Sequence, residues 1–595
     1  MTRNLFSNSL YVGLAFLAAL FVIPHIADSA YVFHIFILIC VFGALSTAWN
    51  IVGGFAGQLS LGHAVYYGIG SYVGVLCLIR FGLSPWIGMF IGAALASLVS
   101  VLISWPTLRL RGPFFTLASI AILEVVRLLV IHEAGLTGGS SGLSIPLKLG
   151  FKWMVFQEKS SSFNLAFVFL LSTLAVAYAI RNSKFGFSLF AVREREDAAR
   201  AVGINVVRVR ILASVVSAAL TSAIGTFYAV YLTYIDPEAT FSLGLSIQIA
   251  MFALIGGLGT VFGPLIGTSV VLPLAELTRA WLGTQSSGLH GTIYGVILVA
   301  TVLIAPRGIV GALSSFFHRK SEGEEVAVSD VDRDNKSPTM VNRKSASGST
   351  PVLRAEGLHK SFGGLLATND VSIELIKGEI LGVIGPNGAG KTTLFNQLSG
   401  FITPDRGAVS VLSADGTWLK PTSAAAFARA GVGRTFQIAQ PFSGLTVLEN
   451  VMLGAFLSVD SVSKAREFAL ETLDLTGLLK QASKEARSLT VSGLKRLEIA
   501  RALATRPRIL LLDEVMAGLS PTDIQSAVEL IKKVRDSGVS VLLIEHQMQA
   551  TMALCDRIVV LDLGAVLTSG APSQVVKDPR VIEAYLGKGF THVEN

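Results

Sequence analysis

The sequence predicts a chain of two parts, an α-helical polytopic membrane domain of about ten spans followed by an α/β domain built around a phosphate-binding loop. Three observations predict this fold class. The mean hydropathy is +0.62 and only 15% of the residues are charged, which is far from the average of soluble proteins. The apolar residues concentrate before Pro306, in segments long enough to cross a bilayer. Residues 385–393 read GPNGAGKTT, which fits the pattern G-x-x-x-x-G-K-[ST].

The apolar segments of the first half give a consistent membrane topology. A cytoplasmic N-terminus places Arg109, Arg111 and the basic stretch 181–210 inside, as the positive-inside rule requires. This bias explains the net charge of +8, so we expect no nucleic-acid partner. Dividing the apolar stretch 245–280 at the Gly256-Gly257 pair and Pro264 puts the second half in the cytoplasm. The predicted spans lie near 9–28, 32–52, 62–80, 85–105, 114–133, 163–181, 209–232, 245–257, 261–280 and 288–305.

Glycine-rich and charged residues interrupt these spans. The stretches 53–63 and 255–264 predict broken helices along a transport path, and close packing through small residues is the alternative. Glu124 and Arg127 lie three residues apart on one span and can share a face. We expect them to form an ion pair in the interior of the bundle, with a structural role favoured over substrate contact.

The phosphate loop lies between an apolar strand at 379–384 and a helix at 394–398. Its glycines let backbone N–H groups point at phosphates, and the helix N-terminus adds its positive dipole end. Lys391 would reach the β- and γ-phosphates of ATP, and the Thr392 hydroxyl would bind Mg²⁺. A glycine-rich turn that only joins strand to helix is the alternative. The residues predicted to hold the nucleotide here are Gly385, Pro386, Asn387, Gly388, Ala389, Gly390, Lys391, Thr392 and Thr393.

Two further strands end in side chains suited to phosphate chemistry. The apolar run 508–512 ends in Asp513 and Glu514. Asp513 is placed to hold Mg²⁺ through water, and Glu514 to polarise the attacking water; a solvated strand end is the alternative. The run 541–544 ends in Glu545 and His546. A lone histidine is usually structural, but His546 could meet a γ-phosphate at this strand end.

The basic loop near 182–208 contains small residues followed by a glycine. Residues 197–205 read DAARAVGIN, which suits two short helices joined by a tight turn; a solvated cytoplasmic loop is the alternative. The stretch resembles the EAA loop of ABC importer permeases, with Asp197 in place of Glu and with Ala198, Ala199 and Gly203 at the other motif positions. The resemblance implies a coupling helix that docks on an ATPase.

Other stretches of the first half resemble the permease subunits of branched-chain amino-acid uptake systems, over roughly 44–306. The matching stretches read WNIVGGFAGQLSLGH at 49–63, LRLRGP at 108–113, GGLGT at 256–260 and GP at 263–264. The resemblance implies a transmembrane permease domain at 1–318. The polar residues 319–350 contain almost no aromatic side chain and predict a flexible linker.

The second half resembles ABC ATPases over 353–587, which implies an ATPase domain at 351–595. By this resemblance Phe362 stacks on adenine, Gln437 is the Q-loop glutamine near the γ-phosphate and Mg²⁺, and His546 is the switch histidine. AGLS at 517–520 matches the D-loop. GRTFQ at 433–437, TVLENV at 446–451 and VIEAYLG at 581–587 resemble the ATPase subunits of branched-chain amino-acid importers.

One motif departs from the family. The signature Leu-Ser-Gly-Gly-Gln is replaced by Leu489, Thr490, Val491, Ser492 and Gly493. Val491 and Ser492 bring Cβ atoms where glycines let the backbone approach a γ-phosphate. In this family the signature completes the ATP site of the opposite ATPase. We therefore hypothesise an asymmetric pair, in which one composite site turns over slowly.

Together the resemblances imply ATP-driven import of branched-chain or related hydrophobic amino acids, with ATP and Mg²⁺ as cofactors. They imply a multi-pass protein of the bacterial inner (plasma) membrane, in contact with lipid and with its ATPase in the cytoplasm. A second permease and a second ATPase, or another copy of this chain, would complete the transporter, with an extracytoplasmic substrate-binding protein. The alternatives are import of short amides or urea, export of hydrophobic compounds, and a membrane-anchored ATPase that has a regulatory role and does not transport a solute.

Overall fold

The computed structural model describes residues 2–107, 112–282 and 350–586, and a few residues between 295 and 312. The chain divides into two compact units. The first contains Met1–Arg193 and Val207–Ala327, and the second contains Glu194–Val206 and Val328–Asn595. The predicted linker 319–350 lies outside the described residues except for its last residue, as do Arg109 and Arg111.

Long apolar helices form the first unit, as the sequence predicts. Seven helices among the described residues are long and apolar enough to cross a membrane. Two more, Tyr11–Ala27 and Gly263–Leu277, are apolar but shorter, and most of the span predicted at 288–305 lies outside the described residues. The prediction of about ten spans is therefore not confirmed. The seven helices are Ala30–Phe55, His63–Phe81, Pro85–Thr107, Pro113–His132, Lys159–Arg181, Val206–Leu232 and Pro237–Gly256.

Both glycine-rich interruptions are present. The helix Ala30–Asn50 continues as a π-helical turn, Ile51–Phe55, and the chain then leaves helical structure until His63–Phe81 begins. The second interruption separates Leu243–Gly256 from Gly263–Leu282. The helices break where the sequence places its glycines.

Asn50 joins the two interruptions. Its Nδ2 donates to the carbonyl oxygen of Thr260 at 2.9 Å, and its Oδ1 accepts from the Gly259 amide at 3.0 Å. A Cβ atom on Gly54 would lie 1.8 Å from Asn50 Oδ1, so this junction requires a residue without a side chain. Close packing through small residues therefore occurs here, and a transport path along it stays a prediction.

The expected ion pair forms, but not in the interior of the bundle. Arg127 Nε donates to Glu124 Oε2 at 3.0 Å, and Arg127 Nη1 donates to Glu238 Oε1 at 2.6 Å. The Glu124 side chain is 52% exposed and that of Glu238 68%. The expectation of a buried pair was wrong because helical spacing places two residues on one face without fixing what covers that face.

Two β-sheets with surrounding helices form the described part of the second unit. Five parallel strands and one antiparallel edge strand make a six-stranded sheet. Its central strands are buried on both faces, which is why they are continuous apolar runs in the sequence. The order across the sheet is Ala565–Gly570, Arg557–Asp562, Ile380–Ile384, Ser540–Ile544, Ile509–Asp513 and Val432–Arg434.

A four-stranded antiparallel sheet accompanies it, in the order Leu365–Ile376, Pro351–Phe362, Arg406–Leu412 and Trp418–Leu419. The strands predicted at 379–384, 508–512 and 541–544 are confirmed to within a residue at each end. The helices described in this unit are Glu196–Ala201, Lys391–Leu398, Ala424–Arg429, Val447–Ala455, Val462–Leu475, Val491–Ala504, Pro521–Asp536, Met548–Leu554, Pro572–Val575 and Pro579–Leu586.

The prediction for residues 197–205 is partly wrong. A short helix, Glu196–Ala201, is present, and Gly203 makes the turn at φ 86°. A second short helix, Lys184–Glu194, lies before it, but Gly203 does not join the two: it leads into Val206–Leu232, which runs for 27 residues. This helix covers the span predicted near 209–232, so the turn at Gly203 leads directly into a membrane-length helix.

Candidate nucleotide site

The predicted nucleotide residues lie at one edge of the six-stranded sheet. Parallel strands present their carboxyl ends at the same edge, where ligands bind in α/β folds. Here four adjacent strands end together. The phosphate loop follows the strand that ends at Ile384. His546 comes two residues after the end of the neighbouring strand, Asp513 ends the third strand, and Gln437 follows the fourth.

The phosphate loop has the backbone geometry that its glycines predict. Gly385, Gly388 and Gly390 have φ values of 154°, 84° and 95°, a region that side chains rarely permit. A Cβ atom on Gly390 would lie 2.2 Å from the carbonyl oxygen of Ala367. The loop leads into the helix Lys391–Leu398, and at its three glycines no side chain covers the backbone of the loop.

Lys391 is folded onto its own loop. Its Nζ donates to the carbonyl oxygens of Gly385 and Pro386, at 2.8 Å each. Burial lowers the pKa of the Lys391 ammonium, and the negative charge of Glu514 opposes this shift. Thr392 is exposed beside it, and Phe362 is 49% exposed. A ligand can therefore reach the side chains of Thr392 and Phe362.

Two of the predicted catalytic side chains, those of Gln437 and His546, contact a third, Glu514. Gln437 Nε2 donates to Glu514 Oε2 at 3.0 Å, and His546 Nε2 lies 3.0 Å from Glu514 Oε1. Glu514 itself has φ 46°, a left-handed conformation that is strained for a residue with a side chain. Its amide donates to the carbonyl oxygen of Ile544 at 2.9 Å. The backbone turn and two side chains thus orient this carboxylate.

Burial perturbs two neighbouring carboxyl groups. Burial raises the pKa of Asp513 to about 6, and the positive charge of Arg434 opposes this shift. Burial likewise raises the pKa of Glu545 to about 7, although Glu545 Oε1 accepts a hydrogen bond from the Met516 amide at 2.8 Å. Carboxyl groups with raised pKa values beside a phosphate loop are typical of functional sites.

Arg434 was not predicted as a site residue, yet it lies at the centre of an aromatic cluster. Its guanidinium carbon is 4.8, 4.4 and 4.5 Å from the ring centroids of Phe395, Phe401 and Phe436, within cation–π range. Its Nη1 donates to Ser399 Oγ at 2.7 Å. Burial lowers the pKa of Arg434 to about 10. Arg434 thereby ties the phosphate-loop helix to the strand that leads to Gln437.

The altered signature motif lies at the start of the helix Val491–Ala504, called here the signature helix. Thr490 is its N-cap and accepts a hydrogen bond from the Gly493 amide at 3.2 Å. Val491 is 59% exposed, and Ser492 Oγ donates to Asp523 Oδ1 at 2.9 Å. Leu489 precedes the cap. Both Cβ atoms that replace the family glycines are thus at the exposed start of this helix.

Further along the signature helix, a buried pair holds the loop that carries Gln437. Glu498 Oε1 accepts from the Gln440 amide at 2.7 Å and Glu498 Oε2 from the Phe436 amide at 3.4 Å. Arg501 Nη1 donates to the Gln440 carbonyl oxygen at 2.7 Å. Sequence reasoning missed both residues, because nothing in the spacing of the chain indicates which loop they contact.

The predicted coupling residues Asp197, Ala198, Ala199 and Gly203 belong to the second unit. Ala198 and Ala199 are fully buried. The Gly203 carbonyl oxygen accepts a hydrogen bond from Arg429 Nη1 at 3.1 Å. This segment therefore shares a compact unit with the α/β fold, although it is encoded between two membrane-length helices.

Comparison with known protein families divides the chain in the same order. Residues 31–304 match the family described as branched-chain amino acid transport system / permease component. Residues 368–517 match the ABC transporter family. Residues 565–591 match the family described as branched-chain amino acid ATP-binding cassette transporter.

Two relatives and one solved structure resemble the second half. The high-affinity branched-chain amino acid transport ATP-binding protein LivG of Escherichia coli (strain K12) is 41% identical over 256 residues, which are 40% of this chain and 99% of LivG. The corresponding protein BraF of Pseudomonas aeruginosa is 40% identical over 256 residues, with the same shares of the two chains. A nucleotide-free ATP-binding cassette from an ABC transporter is 30% identical, with a TM-score of 0.37, and matches 40% of this chain and 100% of that one.

This chain therefore belongs to the branched-chain amino acid ABC transporter family, and it carries a permease domain and an ATP-binding cassette domain in one polypeptide.

Proposed function

We propose that this chain is the permease–ATPase subunit of an ATP-driven importer of branched-chain or closely related hydrophobic amino acids. One observation carries the proposal. Residues Glu194–Val206, which follow one helix of the membrane half and precede another, form a compact unit with the ATPase domain. A membrane anchor that merely holds an ATPase would need no such segment, whereas a transporter needs a mechanical path from nucleotide to membrane helices.

Lys391 and the phosphate loop would hold the phosphates of ATP. The phosphate oxygens would replace the Gly385 and Pro386 carbonyl oxygens as acceptors for Lys391, which moves only its flexible side chain. Phe362 is exposed enough to stack on adenine.

The donor set also fits Mg²⁺. Thr392 offers a hydroxyl oxygen, Asp513 a carboxylate and Gln437 an amide oxygen, and oxygen atoms are the ligands that Mg²⁺ prefers. Mg²⁺ bound with ATP would neutralise charge that develops on the phosphates. Asp513 must lose its proton to contribute, which couples its raised pKa to nucleotide binding.

Glu514 is the proposed general base. It would take a proton from the water that attacks the γ-phosphate. Gln437 and His546 orient its two oxygens at 3.0 Å each. Nucleotide would compete with these contacts, so Gln437 and His546 can signal whether a γ-phosphate is present.

The working transporter needs two permeases and two cassettes, and this chain supplies one of each. A second permease–ATPase pair would come from a homologous partner or another copy of this chain. ATP binding would close the two cassettes, and hydrolysis would reset them, as a shift between inward- and outward-facing populations. A binding protein outside the inner membrane would deliver the substrate, and the cassettes would lie in the cytoplasm.

Uptake by the reconstituted complex tests the proposal. The chain is purified with the subunits that accompany it, placed in proteoliposomes with ATP inside, and supplied with the substrate-binding protein and labelled leucine outside. We expect accumulation that requires ATP and the binding protein and that is lost in Glu514→Gln. ATP turnover without solute flux would instead support a regulatory ATPase. Transport of labelled urea or short amides but not leucine would reassign the substrate, and flux without the binding protein would support an exporter.

A further inference from the structure

Lys495 is a buried cation with no assigned part in the site. It lies on the signature helix, where the residue is 6% exposed. Its Nζ donates to the carbonyl oxygen of Gln437 at 2.6 Å and to the carbonyl oxygen of Glu514 at 3.1 Å. One ammonium group thus bridges the backbones of two residues that converge on the same carboxylate.

These two backbone positions decide where the catalytic side chains point. Glu514 has a left-handed φ of 46°, a conformation that persists only where its surroundings hold it. Its amide is fixed by Ile544, and Lys495 fixes its carbonyl oxygen. With both ends of the residue held by hydrogen bonds, the Cα–Cβ bond of Glu514 points in a fixed direction, and Gln437 and His546 hold the carboxylate at its end.

The same ammonium fixes the start of the loop that bears Gln437. Glu498 and Arg501 hold Phe436 and Gln440 on either side, but Lys495 alone among these three contacts Gln437 itself. Lysine is suited to this bridge because it has three donors on a flexible stem. A charged donor also makes stronger hydrogen bonds to carbonyl oxygens than a neutral one.

We propose that Lys495 is a positioning residue for ATP hydrolysis, which holds the backbones of Glu514 and Gln437 so that both side chains face the γ-phosphate. It does not touch nucleotide. The inference rests on the proposed ATPase function, and it assigns to the signature helix a task within this chain's own nucleotide site.

The test is steady-state ATP hydrolysis by the purified full chain with its accompanying subunits. Lys495→Met removes the ammonium and keeps an apolar stem. We expect its kcat to fall roughly 10- to 100-fold, as misplaced catalytic groups do, while the KM for ATP and the binding of a fluorescent ATP analogue change less than about twofold. Lys495→Arg keeps the positive charge and offers N–H donors to the same two carbonyl oxygens, so its kcat should fall less than that of Lys495→Met. Lys532→Met, on an exposed helix face, is the matched control and should behave as wild type.

Each outcome decides the matter. A wild-type kcat in Lys495→Met, or a loss expressed in KM alone, would overturn the proposal. If Lys495→Met does not assemble, Lys495→Arg decides, because a loss that falls on the KM for ATP and not on kcat would contradict a positioning role, whereas a fall in kcat at an unchanged KM would support it. Failure of the wild type to hydrolyse ATP at all would overturn the proposed function instead, so the two failures are distinguishable.

Discussion

Gln437 Nε2 lies 3.0 Å from Glu514 Oε2 and donates a hydrogen bond to it, although the two residues are 77 positions apart in the chain. The contact joins the loop beyond one strand to the end of the neighbouring strand. His546 lies at the other carboxylate oxygen. The proposed general base is therefore held from two sides before nucleotide arrives.

Gln437→Ala should lower both ATP turnover and uptake. A hydrogen bond between Gln437 and a charged group, which is Glu514 here and would be the γ-phosphate once nucleotide is bound, contributes about 1.5–3 kcal/mol, so we expect a fall of roughly one to two powers of ten in kcat. The measurement is ATP hydrolysis and leucine uptake by the same proteoliposomes. Gln440→Ala is the matched control, since Gln440 bonds to Glu498 and Arg501 by its backbone amide and carbonyl. Unchanged uptake in Gln437→Ala would favour the regulatory alternative.

Gly203→Ala should separate hydrolysis from transport. Gly203 has φ 86°, and an added Cβ would lie 2.5 Å from Leu457 Cδ1. The substitution strains the backbone by about 1–2 kcal/mol, pushes Leu457 aside and displaces the carbonyl oxygen that accepts from Arg429. We expect uptake to fall severalfold while ATP turnover stays within about twofold, because the nucleotide residues are untouched.

Gly416→Ala is the control for backbone strain alone. Gly416 has φ 85°, and no atom lies within 4 Å of the position its Cβ would take. The variant should match the wild type in both uptake and turnover. Equal losses in the two variants would mean that strain, and not the contacts of Gly203, caused the effect.

The sequence predicts the parts of the site that local chemistry determines. A buried parallel strand is a continuous apolar run, so the ends at Ile384, Asp513 and Ile544 could be located, and with them the side chains that follow. Arg434 and Lys495 could not be found in this way. Their partners are aromatic rings and backbone carbonyl oxygens from distant segments. Such contacts produce no recognisable pattern of residue spacing in the sequence.

The same limit explains the errors in the membrane half. Helical periodicity places Glu124 and Arg127 on one face, and the pair forms. Whether that face is covered depends on tertiary packing, and the face at Glu124 is exposed. Likewise, Gly203 correctly marks a turn, but the two short helices, Lys184–Glu194 and Glu196–Ala201, both lie before it and are not joined by it.

Glu545 should make the stability of the protein depend on pH. Burial raises its pKa from the ordinary value of 4.5 to about 7, so the folded protein binds this proton more tightly than the unfolded chain does. Its contribution to stability is complete at low pH and is lost as the pH rises through that interval. Glu545→Gln mimics the neutral acid and keeps an oxygen acceptor for the Met516 amide. We expect Glu545→Gln to raise the free energy of unfolding at pH 8 by an amount on the order of 1–3 kcal/mol, and with it the midpoint temperature of unfolding. At pH 4.5 we expect neither quantity to change.

Thermal unfolding of the two proteins at both pH values is the measurement. Glu529→Gln changes the same charge on an exposed face and should leave the difference between the two pH values as it is in the wild type. An identical midpoint for Glu545→Gln and the wild type at pH 8 would show that Glu545 is ionised in the fold without cost.

Restoring the signature glycines should raise ATP turnover of the assembled complex. Val491 and Ser492 place Cβ atoms at the exposed start of the signature helix, and Ser492 Oγ bonds to Asp523. The double substitution Val491→Gly, Ser492→Gly removes both obstacles to close approach of a γ-phosphate, so we expect turnover to rise severalfold. It also loses a hydrogen bond and adds two helical glycines, which costs roughly 2–3 kcal/mol. Stability and turnover should therefore move in opposite directions, which separates a repaired site from a better-folded protein.

Val462→Gly, at the first residue of another helix, controls for the glycine alone and should lower stability without raising turnover. If turnover of the double variant stays at the wild-type rate, the hypothesis of a slow composite site is wrong, and the departed signature closes on ATP as well as the family motif does.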